Sequence, residues 1–307
     1  MLSVILPAYN EEKMIQKAAD TVAGILSEAK IPYELVFVND GSKDHTWNKI
    51  ECAAQKDKHI TGVNFSRNFG KEAAMLAGLA TASGDCCAVM DCDLQHPPQT
   101  LIEMYHLWEQ GYEVVEGVKH SRGKESTLHR ASAGMFYKII SKAVGIDMSR
   151  ASDFKLLDRK AVDAVLAMPE RNVFFRALSS WVGFRSTSVE FDVQERTEGE
   201  SKWSTWSLIK YAIKNIVAFS TVPMQCVTVA GVIVFLFAVI LGMQSLVKYF
   251  SGHALEGFTT VILLILIIGS IIMISMGIIG YYIAKIYEEV KGRPRYIIAK
   301  VVKAERD

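Results

Sequence analysis

The 307-residue chain is poor in features that would place it quickly. No G-x-G-x-x-G and no G-x-x-x-x-G-K-[ST] follows a candidate strand, which argues against a dinucleotide-dependent dehydrogenase and a P-loop enzyme. Cysteine is scarce: Cys52, Cys86, Cys87, Cys92 and Cys226 form no C-x-x-C pair and have no histidine at finger spacing. A zinc site is therefore not expected, and the thiols read as reduced and cytosolic. Excess charge is also missing; with a formal net charge of +1, nucleic acid is not expected as a partner. The opening residues, MLSVILPAYNEE, lack a basic stretch and carry only a short apolar run, so they are not expected to be a signal peptide.

Charge disappears altogether from two segments, Asn215 to Val247 and Gly257 to Ala284. Each exceeds the roughly 20 apolar residues needed to span a bilayer core. Pro223 and Gln225 weaken the start of the first, so the spans are expected at about 223–247 and 258–284. The connection between them has Lys248 as its only lysine or arginine, whereas Lys202, Lys210, Lys214, Lys285, Lys291, Arg293, Arg295 and Lys300 flank the pair. That asymmetry places both termini in the cytoplasm, with the hairpin in the cytoplasmic (inner) membrane. Before the hairpin, Trp206, Ile209, Ile213 and Ile216 fall on one helical stripe, which predicts an amphipathic membrane-proximal helix within 201–222. The basic segment 285–307 is expected to be a cytoplasmic tail that also lies against the headgroups.

Residues 1–200 are organised differently. LSVILPA, YELVFVND, ITGVNFS, CCAVMDCD and EVVEGVK are β-rich runs, and helical patterns follow the first four. Such alternation predicts an α/β domain with a mostly parallel sheet, in which ligands bind beyond the carboxyl ends of the strands. Three polar clusters fall at those ends: PAYNEE (7–12), NDGSKD (39–44) and DCDLQ (91–95). Asp91 and Asp93 would face the same way if strand geometry persisted through them. Alone, a D-x-D is most simply a solvated turn; its company at the strand ends argues for a site.

The order PAYNEE, VNDGSKD, SRNFGKEAA, MDCDLQHPP, SDFKLLDR and R-x-x-G-x-S-K, followed by a membrane hairpin and RPRYII, resembles the family 2 glycosyltransferases. The resemblance is closest to their polyisoprenyl-phosphate branch, the bactoprenol glucosyltransferases and dolichol-phosphate mannose synthases, and it covers essentially the whole chain. It implies a GT-A (Rossmann-like) cytosolic domain with a two-helix transmembrane hairpin. The Q-x-x-R-W of processive relatives is absent, which favours one transfer per acceptor.

The family's chemistry separates a sugar from a nucleoside diphosphate, and a hard divalent cation, Mg²⁺ or Mn²⁺, suits the charge that develops. The resemblance assigns Asp93, with Asp91 and Gln95, to that metal, Asp91 also facing the nucleotide sugar. His96 is taken as a polar loop residue, and Pro97 and Pro98 as the first turn of the next helix. Pro7, Ala8, Tyr9 and Glu11 are expected near the base and ribose; for Glu11 the alternative is an acid decorating a helix N-terminus. Asp40 is expected to accept from a uracil N3–H, with an Asx-turn before Gly41 as the alternative. Arg67, Asn68 and Lys71 are expected to line the pocket. Arg196, Ser201 and Lys202 match a loop that closes on the diphosphate, although Gly199 suits a plain linker equally. Arg122 and Arg130 match the family's lipid-phosphate ligands, and the alternative is bulk attraction to anionic lipid. Asp153 matches the position assigned as catalytic base. A phosphate monoester with a second pKa near 6 is largely ionised without help, so Asp153 is expected either to orient the attacking oxygen or to take its last proton.

The resulting expectation is a metal-dependent, inverting transfer of one sugar, glucose from UDP-glucose favoured, to undecaprenyl phosphate at the cytoplasmic face. Other donors (UDP-GlcNAc, a UDP-aminoarabinose derivative, GDP-mannose) are rivals, as is an inactive lipid-carrier-binding partner of a flippase. Relatives make a homo-tetramer an expectation.

Overall fold

The computed structural model describes residues 1–119, 141, 152–169, 175–192, 222–251 and 257–303. The chain divides into two units, Met1–Leu208 with Arg293–Asp307, and Ile209–Gly292.

Among the described residues, the first unit is built on an eight-stranded sheet. Its strands are β1 (Leu2–Ala8), β2 (Tyr33–Asn39), β3 (Ile60–Phe65), β4 (Cys86–Val89), β5 (Val114–Lys119), β6 (Lys155–Asp158), β7 (Ser186–Phe191) and β8 (Ile298–Lys303). They lie in the order β7-β5-β6-β4-β1-β2-β3-β8. Strands β1 to β4 run parallel, as the alternation of strands and helices predicts, while β6 and β8 enter antiparallel. Side chains alternate between two cores. Leu2, Val4 and Leu6 of β1 join one apolar cluster and Ile5 joins the other, all of them fully buried. Both faces are covered, so the central strands read as continuous apolar runs.

Helices α1 (Ile15–Glu28), α2 (Thr46–Lys56), α3 (Lys71–Thr81) and α4 (Thr100–Glu109) follow the first four strands, with α5 (Arg159–Ala167) and α6 (Phe175–Trp181) further on. In α1 the buried Ile15, Ala18, Ala19, Val22 and Leu26 form one stripe of helical period. Helix α3 sits tight on the sheet because Gly78 has no side chain; a Cβ there would lie 2.3 Å from Ile5 Cγ2. Pro97 and Pro98 precede α4 rather than forming its first turn, and their carbonyls accept from Thr100 and Leu101 N–H.

In the second unit, α7 (Val222–Phe250) and α8 (Phe258–Val290) contain spans of 21 and 24 residues that are apolar and long enough to cross a membrane. Neither span is buried inside the protein, and Phe235 and Met273 are 67% and 76% exposed. Apolar surface on that scale needs hydrocarbon or another protein around it. The two helices fit a transmembrane hairpin, and the second runs beyond Ala284 to Val290.

The tail departs from expectation. Residues 298–303 pair with β3, Val301 opposite Val63, as the edge strand of the sheet. The Arg295 guanidinium donates to the Met168 carbonyl, Lys300 pairs with Glu51 (2.6 Å), and Tyr296 stacks on Phe65 with ring centroids 5.2 Å apart. Two of the cations counted as headgroup-facing are therefore bound to the first unit. The alternation in IAKVVK pairs with an open strand edge, a partner too distant in sequence to be foreseen.

Candidate active site

The carboxyl ends of β1 to β4 surround a cleft of about 360 Å³. Pro7, Ala8, Tyr9 and Glu11 enter from the β1 loop and Asp40 from the end of β2. Asn68, Gly70, Lys71 and Ala74 come from the β3–α3 segment, and Asp91, Cys92 and Asp93 follow β4.

Two of the polar clusters hold each other. Asn10 and Glu11 N–H donate to Ser42 Oγ (2.9 Å) and Thr46 Oγ1 (2.8 Å), and Lys43 N–H donates back to Asn10 Oδ1 (2.9 Å). Glu12 accepts from His45 N–H (3.0 Å), a bracing role outside the cleft lining. Asp40 is 4% exposed and accepts from Phe69 N–H (2.7 Å) and Gly70 N–H (3.0 Å). It thus anchors the β3–α3 loop, a role neither reading of the sequence anticipated. Burial raises its carboxyl pKa, and the two N–H groups only partly offset this. Gly41 permits the close approach: it has φ +63°, and a Cβ would sit 2.3 Å from the Arg67 carbonyl carbon. Arg67 itself lies over the Phe69 ring (4.2 Å) and is not part of the cleft lining, whereas Asn68 and Lys71 are.

Strand β4 stops at Val89, and the chain turns through Asp91–Asp93 with Leu94 at φ +55°. The persistent strand considered for the D-x-D is not formed, yet both carboxylates still reach the cleft. Gln95 does not line it; its N–H donates to Asp93 Oδ1 (3.1 Å). His96 is no solvated loop residue. It is 8% exposed, stacked on Phe154 (4.7 Å) and edge-on to Phe191, with no partner for Nδ1 among the described residues.

The electrostatic centre is a chain of ion pairs. Lys71 Nζ lies 2.7 Å from Asp91 Oδ1 and 3.1 Å from Asp153 Oδ2. Partial desolvation of a side chain that is still 41% exposed opposes the ammonium's charge, but the two carboxylates outweigh it and raise its pKa above the ordinary lysine value. Arg176 grips Asp153 as a fork, Nε to Oδ1 at 2.7 Å and Nη2 to Oδ2 at 2.8 Å. Burial would raise the Asp153 pKa; Lys71 and Arg176 override it and hold the carboxyl well below the carboxylate range. Asp91 is likewise lowered, Lys71 overcoming its burial. Next to Lys71, Glu72 accepts from Phe175 N–H (2.9 Å), and burial pushes its pKa up to about 7.

Asp91 and Asp93 offer the hard oxygens that Mg²⁺ or Mn²⁺ prefers. Among the described residues no three His, Cys, Asp or Glu side chains converge enough to hold an ion by themselves. An ion here would draw its remaining ligands from water or a bound oxygen-rich ligand, which suits Mg²⁺ in particular. The residues fit the ion. The sequence reading missed Arg176 and Glu72 and underrated Lys71; their partners lie 23, 103 and up to 82 positions away, so no local motif marks them. Arg122, Arg130, Arg196, Ser201, Lys202 and the amphipathic stretch within 201–222 lie outside the described residues.

An open α/β sheet with acids and a lysine at its carboxyl edge fits the GT-A fold. The chain belongs to glycosyl transferase family 2, whose family model matches residues 3–166. It is 38% identical over 300 residues to an uncharacterized glycosyltransferase of Synechocystis, covering 97% of this chain and 94% of that one. It is 36% identical over 304 residues to a prophage bactoprenol glucosyl transferase homolog of Escherichia coli (98% and 99%). Against the bactoprenol glucosyl transferase of Shigella phage SfII the identity is 35% over 301 residues, 97% of each chain. Among solved structures, mannosyl-3-phosphoglycerate synthase from Rubrobacter xylanophilus superposes with a TM-score of 0.50 at 16% identity, covering 71% of this chain and 72% of that one. That likeness concerns the fold alone. The protein is a glycosyltransferase.

Proposed function

We propose that the protein transfers a single sugar, glucose from UDP-glucose favoured, to a polyprenyl phosphate of the undecaprenyl type at the cytoplasmic membrane face. The observation that carries this reading is end-to-end similarity, hairpin included, to relatives named bactoprenol glucosyl transferase. The shared sheet adds a topological argument. Strands β1 and β8 belong to one sheet although both apolar helices lie between them in sequence, so the flanking segments share one side of any membrane. A hairpin that enters and returns satisfies this; a single crossing does not.

In the reaction an acceptor phosphate oxygen bonds to the anomeric carbon from the side opposite the nucleotide. The bond from that carbon to the diphosphate breaks, its electron pair leaves with the nucleoside diphosphate, and configuration inverts. A divalent ion on Asp91 and Asp93 would neutralise charge gathering on the leaving oxygens. Gln95 braces Asp93 rather than extending the ligand set. Pro7, Ala8, Tyr9, Glu11 and Asn68 form the wall for base and ribose. Asp40 keeps acceptor capacity for a uracil N–H beyond the two amides it already holds. Asp153, held as a carboxylate between Lys71 and Arg176, has the role of orienting the attacking oxygen. Arg122 and Arg130 bind the lipid phosphate, and Arg196, Ser201 and Lys202 close on the diphosphate. The test is UDP release from UDP-glucose by purified full-length protein, expected only when polyprenyl phosphate is added. Release that ignores the lipid, or none with any nucleotide sugar, overturns the reading.

A further inference from the structure

We propose that Lys71 is a built-in counter-cation that makes divalent-metal binding depend on the nucleotide diphosphate. The inference rests on the metal reading above. The ammonium lies within 2.7 and 2.9 Å of the two Asp91 oxygens, so the carboxylate offered to the ion already faces a positive charge. A divalent ion entering alone must displace that ammonium or share a carboxylate with it, and like charges so close in a cleft repel.

Two features keep Lys71 in place instead of letting it swing into solvent. It opens α3 directly after Gly70, whose N–H is held by Asp40, so its backbone is tied to the site. Its second partner, Asp153, lies 3.1 Å away and offers a resting place once Asp91 is taken. Asp153 is in turn fixed by the Arg176 fork. The ammonium bridges both carboxylates at once, so it can keep Asp153 when an ion takes Asp91. A nucleoside diphosphate reverses the balance, because it supplies oxygen ligands to the ion and negative charge for the displaced ammonium. Metal and nucleotide then bind as one cooperative unit. Reciprocity requires that each tighten the other by the same factor.

The measurement is Mn²⁺ binding to the full-length protein by electron paramagnetic resonance, with and without UDP, and with no sugar transferred. For the wild type, Mn²⁺ alone binds weakly and UDP tightens it strongly. Lys71→Met should bind Mn²⁺ alone about tenfold or more tighter, with the UDP enhancement reduced by the same factor, the size expected for directly contacting groups. Lys71→Arg keeps the charge and should stay near wild type. Asp153→Asn removes the resting place and should shift the Mn²⁺ affinity the other way, several-fold weaker by the same scale. A lysine that only supported the fold would weaken metal binding when replaced, so the sign separates the roles. If Lys71→Met binds Mn²⁺ no better than wild type, or Asp153→Asn binds it more tightly, the proposal is overturned. If the wild type takes up no Mn²⁺ even with UDP, the metal reading itself fails.

Discussion

Replacing Asp153 by asparagine separates an orienting carboxylate from a base. The side chain is 12% exposed and bound by Arg176 at 2.7 and 2.8 Å and by Lys71 at 3.1 Å. Asparagine keeps the shape but turns an acceptor-only group toward two cations into one that also donates. Breaking one side of a buried pair costs about 3–5 kcal/mol, and the partial exposure of Arg176 (28%) places the expectation at or below about 3 kcal/mol. Because the folded-state pKa is depressed, that stabilisation is complete above the unfolded carboxyl value near 4 and is lost as pH falls toward the folded value. It is therefore constant from pH 6 to 9, and unfolding cannot create a pH-dependent rate difference there. In a lipid-dependent UDP-release assay, kcat should fall roughly 10²-fold or more. The deficit should be the same at every pH in that window, with KM for UDP-glucose little changed. Recovery of the variant toward wild type as pH rises would refute orientation and restore the base, since an acceptor already ionised needs none.

Asp93→Ala should abolish transfer, and Asp93→Asn should lose Mn²⁺ affinity while keeping the wild-type melting profile; activity that survives a strong chelator removes the metal from the scheme. Arg122→Ala and Arg130→Ala should raise KM for polyprenyl phosphate far more than for the nucleotide sugar, whereas losses that merely scale with anionic lipid content indicate surface attraction. Glu72 has a folded-state pKa of about 7, above the ordinary 4.5, so its neutral form favours the fold at low pH and that contribution is lost as pH rises through 7. Glu72→Gln should accordingly match wild type near pH 4.5 and be more stable above pH 7, by about 1–3 kcal/mol in thermal unfolding. Tyr296→Ala removes the stack on Phe65, next to Ser66, whose N–H donates to the Ile297 carbonyl (3.0 Å) at the root of the 66–70 loop. It should cost about 1 kcal/mol or more and weaken UDP binding, with Tyr296→Phe restoring both; unchanged UDP affinity would limit β8 to edge closure.

The readings that held rest on neighbours in sequence. The apolar run of LSVILPA, the helical stripe of α1 and the uncharged stretch ending at Ala284 are local patterns whose period or length already states what must be buried. The positions of PAYNEE, NDGSKD and DCDLQ beyond parallel strands follow from that alternation, and these clusters do surround the cleft. Finer orientation was less legible. Asp40 holds a loop because Gly41 lets the backbone of Arg67 approach, and His96 is stacked against rings that arrive from just before β6 and from β7.

By itself the sequence determined the α/β alternation, the apolar pair of helices and which acids gather at the strand ends, because periodicity and hydrophobic length act over a few residues. Only the tertiary structure decided that Lys71 bridges Asp91 and Asp153, that Arg176 grips Asp153, and that the basic tail becomes an edge strand. Those outcomes depend on charges and backbone edges brought together across 20 to more than 200 positions. No local spacing encodes such pairings, since the energy that selects them exists only once the sheet has formed.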